Sequence, residues 1–203
     1  MEVKDSKAYA YCKWASKKSN KKVPCYVKKQ AKAWLKIADG KDKKAYVSEK
    51  AFNIICRTLK LLMHPDLGVT IYEGMEDYAW FIVIATFCTY TKNDNSRYYE
   101  TILLEICRKN FKTFNSAIIF VISMIFEKPF SRFFSVAPDY KLSSELRLAI
   151  RKIIKCSPAL EKYFKIKRDE INCLLNDITY QPLAYSNDKM DGKLANVFLA
   201  DEA

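Results

Sequence analysis

Lys112 and Thr113 are the residues of this chain whose types and order most directly suggest chemistry; they lie in the stretch EICRKNFKTFNSA, residues 105 to 117. A lysine followed by a hydroxyl residue, behind a strand and a basic turn and at the start of a helix, ends the phosphate-binding pattern G-x-x-x-x-G-K-[ST]. In that pattern backbone amides and the helix N-terminus surround phosphate, the lysine reaches the β and γ groups, and the hydroxyl binds Mg2+. ICRKNFKT keeps the Lys-Thr pair but has Ile106 and Phe111 where the pattern has glycines. Glycine leaves φ unrestricted and lets the backbone approach a phosphate; phenylalanine does neither. Such a loop works if Phe111 takes an allowed conformation with its ring turned into the core. The other reading of these residues alone is a basic turn between a strand and a helix.

A second element answers the first. NVFLADEA, residues 196 to 203, is an apolar run ending in Asp201 and Glu202. A site that hydrolyses a nucleotide needs an aspartate at the end of a buried strand to hold Mg2+, followed by a glutamate that polarises the attacking water. The two halves must be brought side by side, so residues 101–106, 132–138 and 196–200 are expected to be strands of one sheet. Lys112 and Thr113 then start the helix after the first strand.

The elements that would position them follow from periodicity. TILLEI (101–106) reads as a buried strand, FNSAIIFVISMIF (114–126) as a helix, and RFFSVAP (132–138) as a strand closed by Pro138. KLSSELRLAIRKIIKCS (141–157) is a helix with Leu142, Leu146, Ile150 and Ile153 along one face, and FKIKRDEINCLL (164–175) alternates like an antiparallel pair. Strands alternating with helices from about residue 66 onward point to a parallel-sheet α/β domain. Residues 1–65 read instead as basic amphipathic helices. The third of these starts at a Ser48 N-cap, carries Phe52, Ile55, Leu59 and Leu62 at helical spacing, and stops before Pro65.

With 35 Lys and Arg against 23 Asp and Glu, a formal charge of +12, the chain favours an anionic partner. For the basic helices this leaves two readings: a solvated helix face, or a surface that tracks phosphate or docks a partner. The apolar runs WFIVIATFC and AIIFVISMIF are about half the roughly 20 residues needed to cross a bilayer, so they are core elements. Seven cysteines without a C-x-x-C pair suit a reducing cytoplasm, and His64 is the only histidine, which argues against a zinc site.

RKNFKT resembles the Arg-Lys-Asn-Gly-Lys-Ser/Thr loop of the large terminase subunits of tailed bacteriophages. The resemblance continues through FFSVAPDYKLSSELRLAIRKII and through LAYSNDKMDGKLANVFLADEA, and it covers about residues 72 to 203. It implies a P-loop NTPase fold: a mostly parallel sheet flanked by helices, incomplete at the C-terminus, over residues 69–203 and after a basic helical region, 1–68. It also implies a motor that hydrolyses ATP with Mg2+ to move double-stranded DNA into the procapsid, as a homo-oligomeric ring on the portal protein and together with a small terminase subunit. The setting would be the cytoplasm of a bacterial host, with no membrane.

The resemblance also implies roles. Lys109, Asn110 and Lys112 would contact phosphate, Thr113 and Asp201 Mg2+, and Glu202 would be the base for water. Arg108 matches a basic loop residue that senses the γ phosphate, in effect an arginine finger in cis. Ala79 stands where the family has an adenine-reading glutamine, leaving Tyr78 or Trp80 to stack on the base, with core packing the other role for Trp80. Asp188 and Asp191-Gly192 read as a turn rather than nuclease carboxylates. A chain that stops after Glu202 is expected to lack the family's coupling strand and nuclease domain, as a fragment or a truncated product. The competing account is a non-enzymatic basic α/β module that binds nucleic acid or a partner and carries a relic phosphate loop.

Overall fold

A computed structural model describes residues 2–107, 109–184 and 194–201. After a 3-10 turn at Val3–Asp5 come α1 (Lys7–Ala15), α2 (Cys25–Ala38), β1 (Ala45–Val47), α3 (Glu49–Leu61), α4 (Ile71–Gly74), α5 (Asp77–Cys88) and β2 (Thr89–Thr91). Then follow α6 (Lys112–Phe126), β3 (Arg132–Ala137), α7 (Tyr140–Lys155), α8 (Pro158–Glu161), β4 (Phe164–Ile166), β5 (Ile171–Cys173), β6 (Ile178–Ala184) and β7 (Val197–Ala200). The elements form two units that interleave along the chain: Met1–Leu59 with Tyr72–Leu104, and Lys60–Ile71 with Glu105–Ala203.

In the first unit the helices start and stop where short polar residues allow. The Ser6 hydroxyl accepts from Tyr9 N at the head of α1, and the Ser48 hydroxyl accepts from Ala51 N, 3.2 Å away, at the head of α3. Beyond α2, Gly40 takes φ +73, the left-handed conformation that ends helices. Each basic helix offers only one apolar face and needs an apolar partner. Helix α5, buried almost all round from Ala79 to Cys88, supplies it by packing on α1. Trp34 is fully buried and donates its indole N–H to the Thr89 hydroxyl at 3.2 Å. Burial of this kind contributes about 1.5–3 kcal/mol for each large apolar side chain, so α5 belongs with the N-terminal helices.

The second unit is built on a five-stranded sheet in the order β4-β5-β6-β3-β7. Strand β3 runs parallel to both neighbours, β6 and β7, while β4–β5 and β5–β6 are antiparallel. The sheet is therefore mixed, with its parallel pairs centred on β3. Phe133, Ser135 and Tyr180 share the face on which the helices sit: Phe120 of α6 meets Phe133 and Tyr180 edge-on, and Ser143 of α7 meets Ser135. Helix α6 is buried on most sides, whereas α7 is amphipathic, with Leu146, Ile150, Ile153 and Ile154 inward. Leu142, placed on that face by spacing alone, is 41% exposed in the first turn.

One expected strand is absent. Residues 101–107 lie in no strand, with Leu103 86% exposed. A strand exists only when its backbone finds a ladder partner. Both sides of β3 are taken by β6 and β7, and this apolar stretch pairs with no described strand. The segment Lys60–Ile71 instead joins the unit through α8 and α6: Met63 N donates to the Ser157 hydroxyl at 2.8 Å, and the buried His64 ring lies 4.6 Å from Phe114. Among the described residues no helix is long and apolar enough to cross a membrane.

Candidate nucleotide site

Two elements meet at the head of α6. Strand β7 aligns with β3 so that Val136 faces Ala200, and the next residue, Asp201, donates its backbone N–H to the Val136 carbonyl at 2.9 Å. The carboxylate of Asp201 thereby reaches the first residue of α6: Lys112 Nζ lies 2.6 Å from Asp201 Oδ1. Both side chains are about one-third to one-quarter exposed, so the pair sits at a cleft mouth rather than in the core. The structure brings Lys112 to Asp201, with Thr113 next along α6, and does so without a strand at 101–106.

The loop before α6 has a specific shape. Lys109 and Phe111 take φ +67 and +56, both left-handed, and the Asn110 amide between them donates to the Cys107 carbonyl at 3.3 Å. A left-handed residue other than glycine costs roughly 1–2 kcal/mol. The backbone conformation that glycine adopts without strain is therefore kept at Phe111, with the strain left in. The ring does not turn into the core: Phe111 is 54% exposed. At φ +56 the loop directs this side chain toward solvent.

Phe111 is also the N-cap residue of α6 and offers no side-chain oxygen to the helix. An α-helix leaves its first N–H groups without intrahelical acceptors, and its dipole adds partial positive charge there. An oxyanion is the natural occupant of such an end, provided cations surround it. They do. A cleft of about 830 Å³ opens over the loop, lined by Lys109, Lys112 and Thr113 on one side and by Arg151, Lys152 and Lys155 of α7 on the other. Asp66 and Glu145 are the acidic residues on its wall, and Phe114, Leu148 and Ala149 supply apolar surface.

Thr113 and Asp201 are hard oxygen donors, the class that Mg2+ prefers, and Asp201 already holds a cation in the form of the Lys112 ammonium. Oxygen donors of this class would suit a divalent metal.

The cations of α7 were not singled out from sequence. Arg151, Lys152 and Lys155 were visible as the polar face of an amphipathic helix, yet nothing in the spacing says that this face looks onto the loop. Cys107, exposed at the cleft wall, was likewise read only as one of seven scattered cysteines. Of the residues proposed for the base, Trp80 is 2% exposed and packs edge-on against Tyr72 at 4.9 Å, in the core of the first unit; Tyr78, on the same helix, is half-buried. Arg108, Glu202, Asp188, Asp191 and Gly192 lie outside the described residues.

Comparison with known proteins agrees with this geometry. Residues 77–203 match the family model of the terminase large subunit, ATPase domain. The fold is similar to the crystal structure of the HK97 bacteriophage large terminase, with a TM-score of 0.60 and 17% identity over 73% of this chain. The match spans 30% of that terminase's length. No curated protein matches. With the family model covering more than half of its residues, this chain belongs to the large terminase subunits, through their ATPase domain.

Proposed function

We propose that the chain is the ATP-binding and ATP-hydrolysing part of a motor that drives double-stranded DNA into a procapsid. The observation that carries the reading is the 2.6 Å approach of Lys112 to Asp201. It supports a site in which the ammonium exchanges its carboxylate partner for the β and γ phosphates once nucleotide arrives. Lys109 and Asn110 line the phosphates from the turn, and the head of α6 receives their oxygens. Thr113 and Asp201 would hold Mg2+, which neutralises charge developing on the transferred phosphoryl group. Glu202 orients and deprotonates the attacking water, and Arg108 stabilises charge on the γ phosphate in the transition state. By family likeness the working form is a ring on a portal, fed by a small terminase subunit.

The test uses an internal reporter. Cys107 lies at the cleft wall and Cys25 is exposed in the other unit. Binding of Mg-ATP should slow maleimide labelling of Cys107 severalfold and leave Cys25 unchanged. Lys112→Ala should abolish that protection. Labelling of Cys107 that is indifferent to Mg-ATP would favour a relic loop on a non-enzymatic module.

A further inference from the structure

Residues Ser6 to Ala38, which make up α1, its following turn and α2, contain ten lysines and no aspartate or glutamate. A merely solvated helix face mixes signs, because Glu–Lys pairs three or four apart stabilise an exposed helix by a few tenths of a kcal/mol and like charges at that spacing destabilise it. Here no partner of opposite sign exists anywhere along the hairpin. Carboxylates lie at its borders, with Asp39 accepting from Tyr9 and Asp77 near Tyr11, and an anionic partner would relieve the remaining self-repulsion.

The turn is built rather than loose. Asn20 donates its amide to the Trp14 carbonyl at 3.3 Å and accepts from Lys22 N at 3.1 Å, and Asn20 N donates to the Lys17 carbonyl at 3.2 Å. From the other side Lys28 Nζ reaches the Lys18 carbonyl at 3.4 Å. These bonds hold Lys17, Lys18, Lys21 and Lys22 together, all four exposed. On α2, Lys29, Lys32 and Lys36 are exposed at spacings of three and four, hence along one face. That row covers roughly 10 Å of helix, about the length of three base steps at ~3.4 Å each.

The residue type narrows the ligand. Every cation of the hairpin is lysine, a hydrated point charge without the planar fork that arginine uses for bidentate recognition. Lysines spread over a convex helical surface suit a repeating line of phosphates and carry little base-reading capacity. An acidic protein partner presents carboxylates at irregular spacing, which a regular row matches less well.

We propose that the α1–α2 turn and the lysine face of α2 form a sequence-independent contact surface for the phosphate backbone of duplex DNA. This rests on the packaging reading, since a packaging motor must hold DNA of any sequence. The surface lies within the first unit, apart from the phosphate loop in the second.

The experiment measures binding of two fluorescent duplexes of unrelated sequence by anisotropy, without nucleotide, from 50 to 300 mM salt. The variant K17Q/K18Q/K21Q/K22Q should bind both duplexes about tenfold or more weakly. Its log–log salt slope should be smaller by up to about 3.6, near 0.9 for each phosphate that the four lysines no longer neutralise. Its melting temperature and its ATP binding should match the parent, because the four side chains are exposed and outside the nucleotide cleft. Parental DNA affinity and slope in this variant overturn the proposal and leave the turn to an acidic protein partner. A twofold or larger preference of the parent for one duplex overturns the sequence-independent part. Failure of the nucleotide reading would appear separately, as ATP binding indifferent to Lys112→Ala with these DNA results intact.

Discussion

The ammonium of Lys112 lies 2.6 Å from the Asp201 carboxylate, a contact made by the first residue of α6 and the residue that follows β7. Neither is placed by its neighbours in sequence. Asp201 is held because β7 pairs with β3 up to Val136–Ala200, and the Asp201 N–H then extends that ladder by one bond to Val136. A one-residue slip of β7 would swing the carboxylate to the opposite face of the sheet and empty the site.

The first prediction separates the stability role of this pair from its chemical role. A partly exposed ion pair contributes about 0–1 kcal/mol, so Asp201→Asn should shift the melting temperature by no more than about 2–4 °C. In the proposed site the same change removes a hard anionic donor for the metal, so Mg2+ should no longer strengthen ATP binding. Titrations of ATP with and without Mg2+, on parent and variant, measure this. An undiminished Mg2+ effect would place the metal elsewhere.

Phe111 supplies the second prediction. Its left-handed φ costs roughly 1–2 kcal/mol, while glycine in its place costs about 0.5–1 kcal/mol in unfolded-chain entropy. The ring is 54% exposed, so little burial is lost. Phe111→Gly should leave thermal stability unchanged or raise it by a few degrees, and should tighten ATP binding by clearing the approach to α6. A drop in stability of about 2 kcal/mol, the scale of a core truncation, would mean that the ring packs after all.

How much of this was legible beforehand depends on whether a feature is local. The Ser48 cap, the end of α2 near Gly40, α6, β3 and α7 all follow from residue type and spacing, and all are present. The β4–β5 hairpin was also visible, as alternation in FKIKRDEINCLL. What failed was non-local. TILLEI has the composition of a strand, but being a strand is a property of two segments, and its prospective partner β3 is already paired on both edges. Leu142 fits an apolar stripe by spacing, yet in the first turn of α7 it is 41% exposed. For the site, Lys112, Thr113 and Asp201 were readable as a pattern separated along the chain. The facing cations Arg151, Lys152 and Lys155 were not, since a helix's rotation about its axis relative to a loop is set by packing.

A third prediction concerns alkali. The Tyr180 hydroxyl is buried against Ser135 at 2.8 Å, and Ser143 adds a bond at 3.2 Å to the same Ser135 hydroxyl. Burial pushes the Tyr180 phenol well above its ordinary value near 10, and the hydrogen bond from Ser135 only partly opposes this. The folded phenol thus keeps its proton where the unfolded one has lost it. Its contribution to stability is complete below about pH 10 and is lost as the pH rises further. Burial raises the thiols of Cys12 and Cys88 as well, adding alkaline sensitivity of the same sign. Tyr180→Phe should cost about 1–2 kcal/mol at neutral pH, the scale of a buried hydrogen bond whose partner is left behind. The parent should lose stability faster than the variant between about pH 9 and 11, as urea midpoints at each pH would show. Parallel pH curves would mean that Tyr180 ionises freely.

The last prediction divides binding from chemistry. In the proposed site the Lys112 ammonium contacts phosphate in the ground state and the transition state alike, so Lys112→Ala should weaken ATP binding and hydrolysis together. Glu202→Gln keeps the shape of the side chain and a hydrogen-bonding group but removes the base. ATP should bind it as it binds the parent, while single-turnover hydrolysis falls by about 10²- to 10⁴-fold, the range typical of general acid–base catalysis. Arg108→Ala should resemble Glu202→Gln, because a finger acts chiefly on charge that develops during phosphoryl transfer. Equilibrium nucleotide affinity and single-turnover rates on the three variants, measured side by side, decide the matter. Hydrolysis at the parental rate by Glu202→Gln would remove the base from Glu202. A collapse of ATP affinity in Arg108→Ala would make Arg108 a ground-state phosphate ligand, with the transition state stabilised from the α7 wall of the cleft instead.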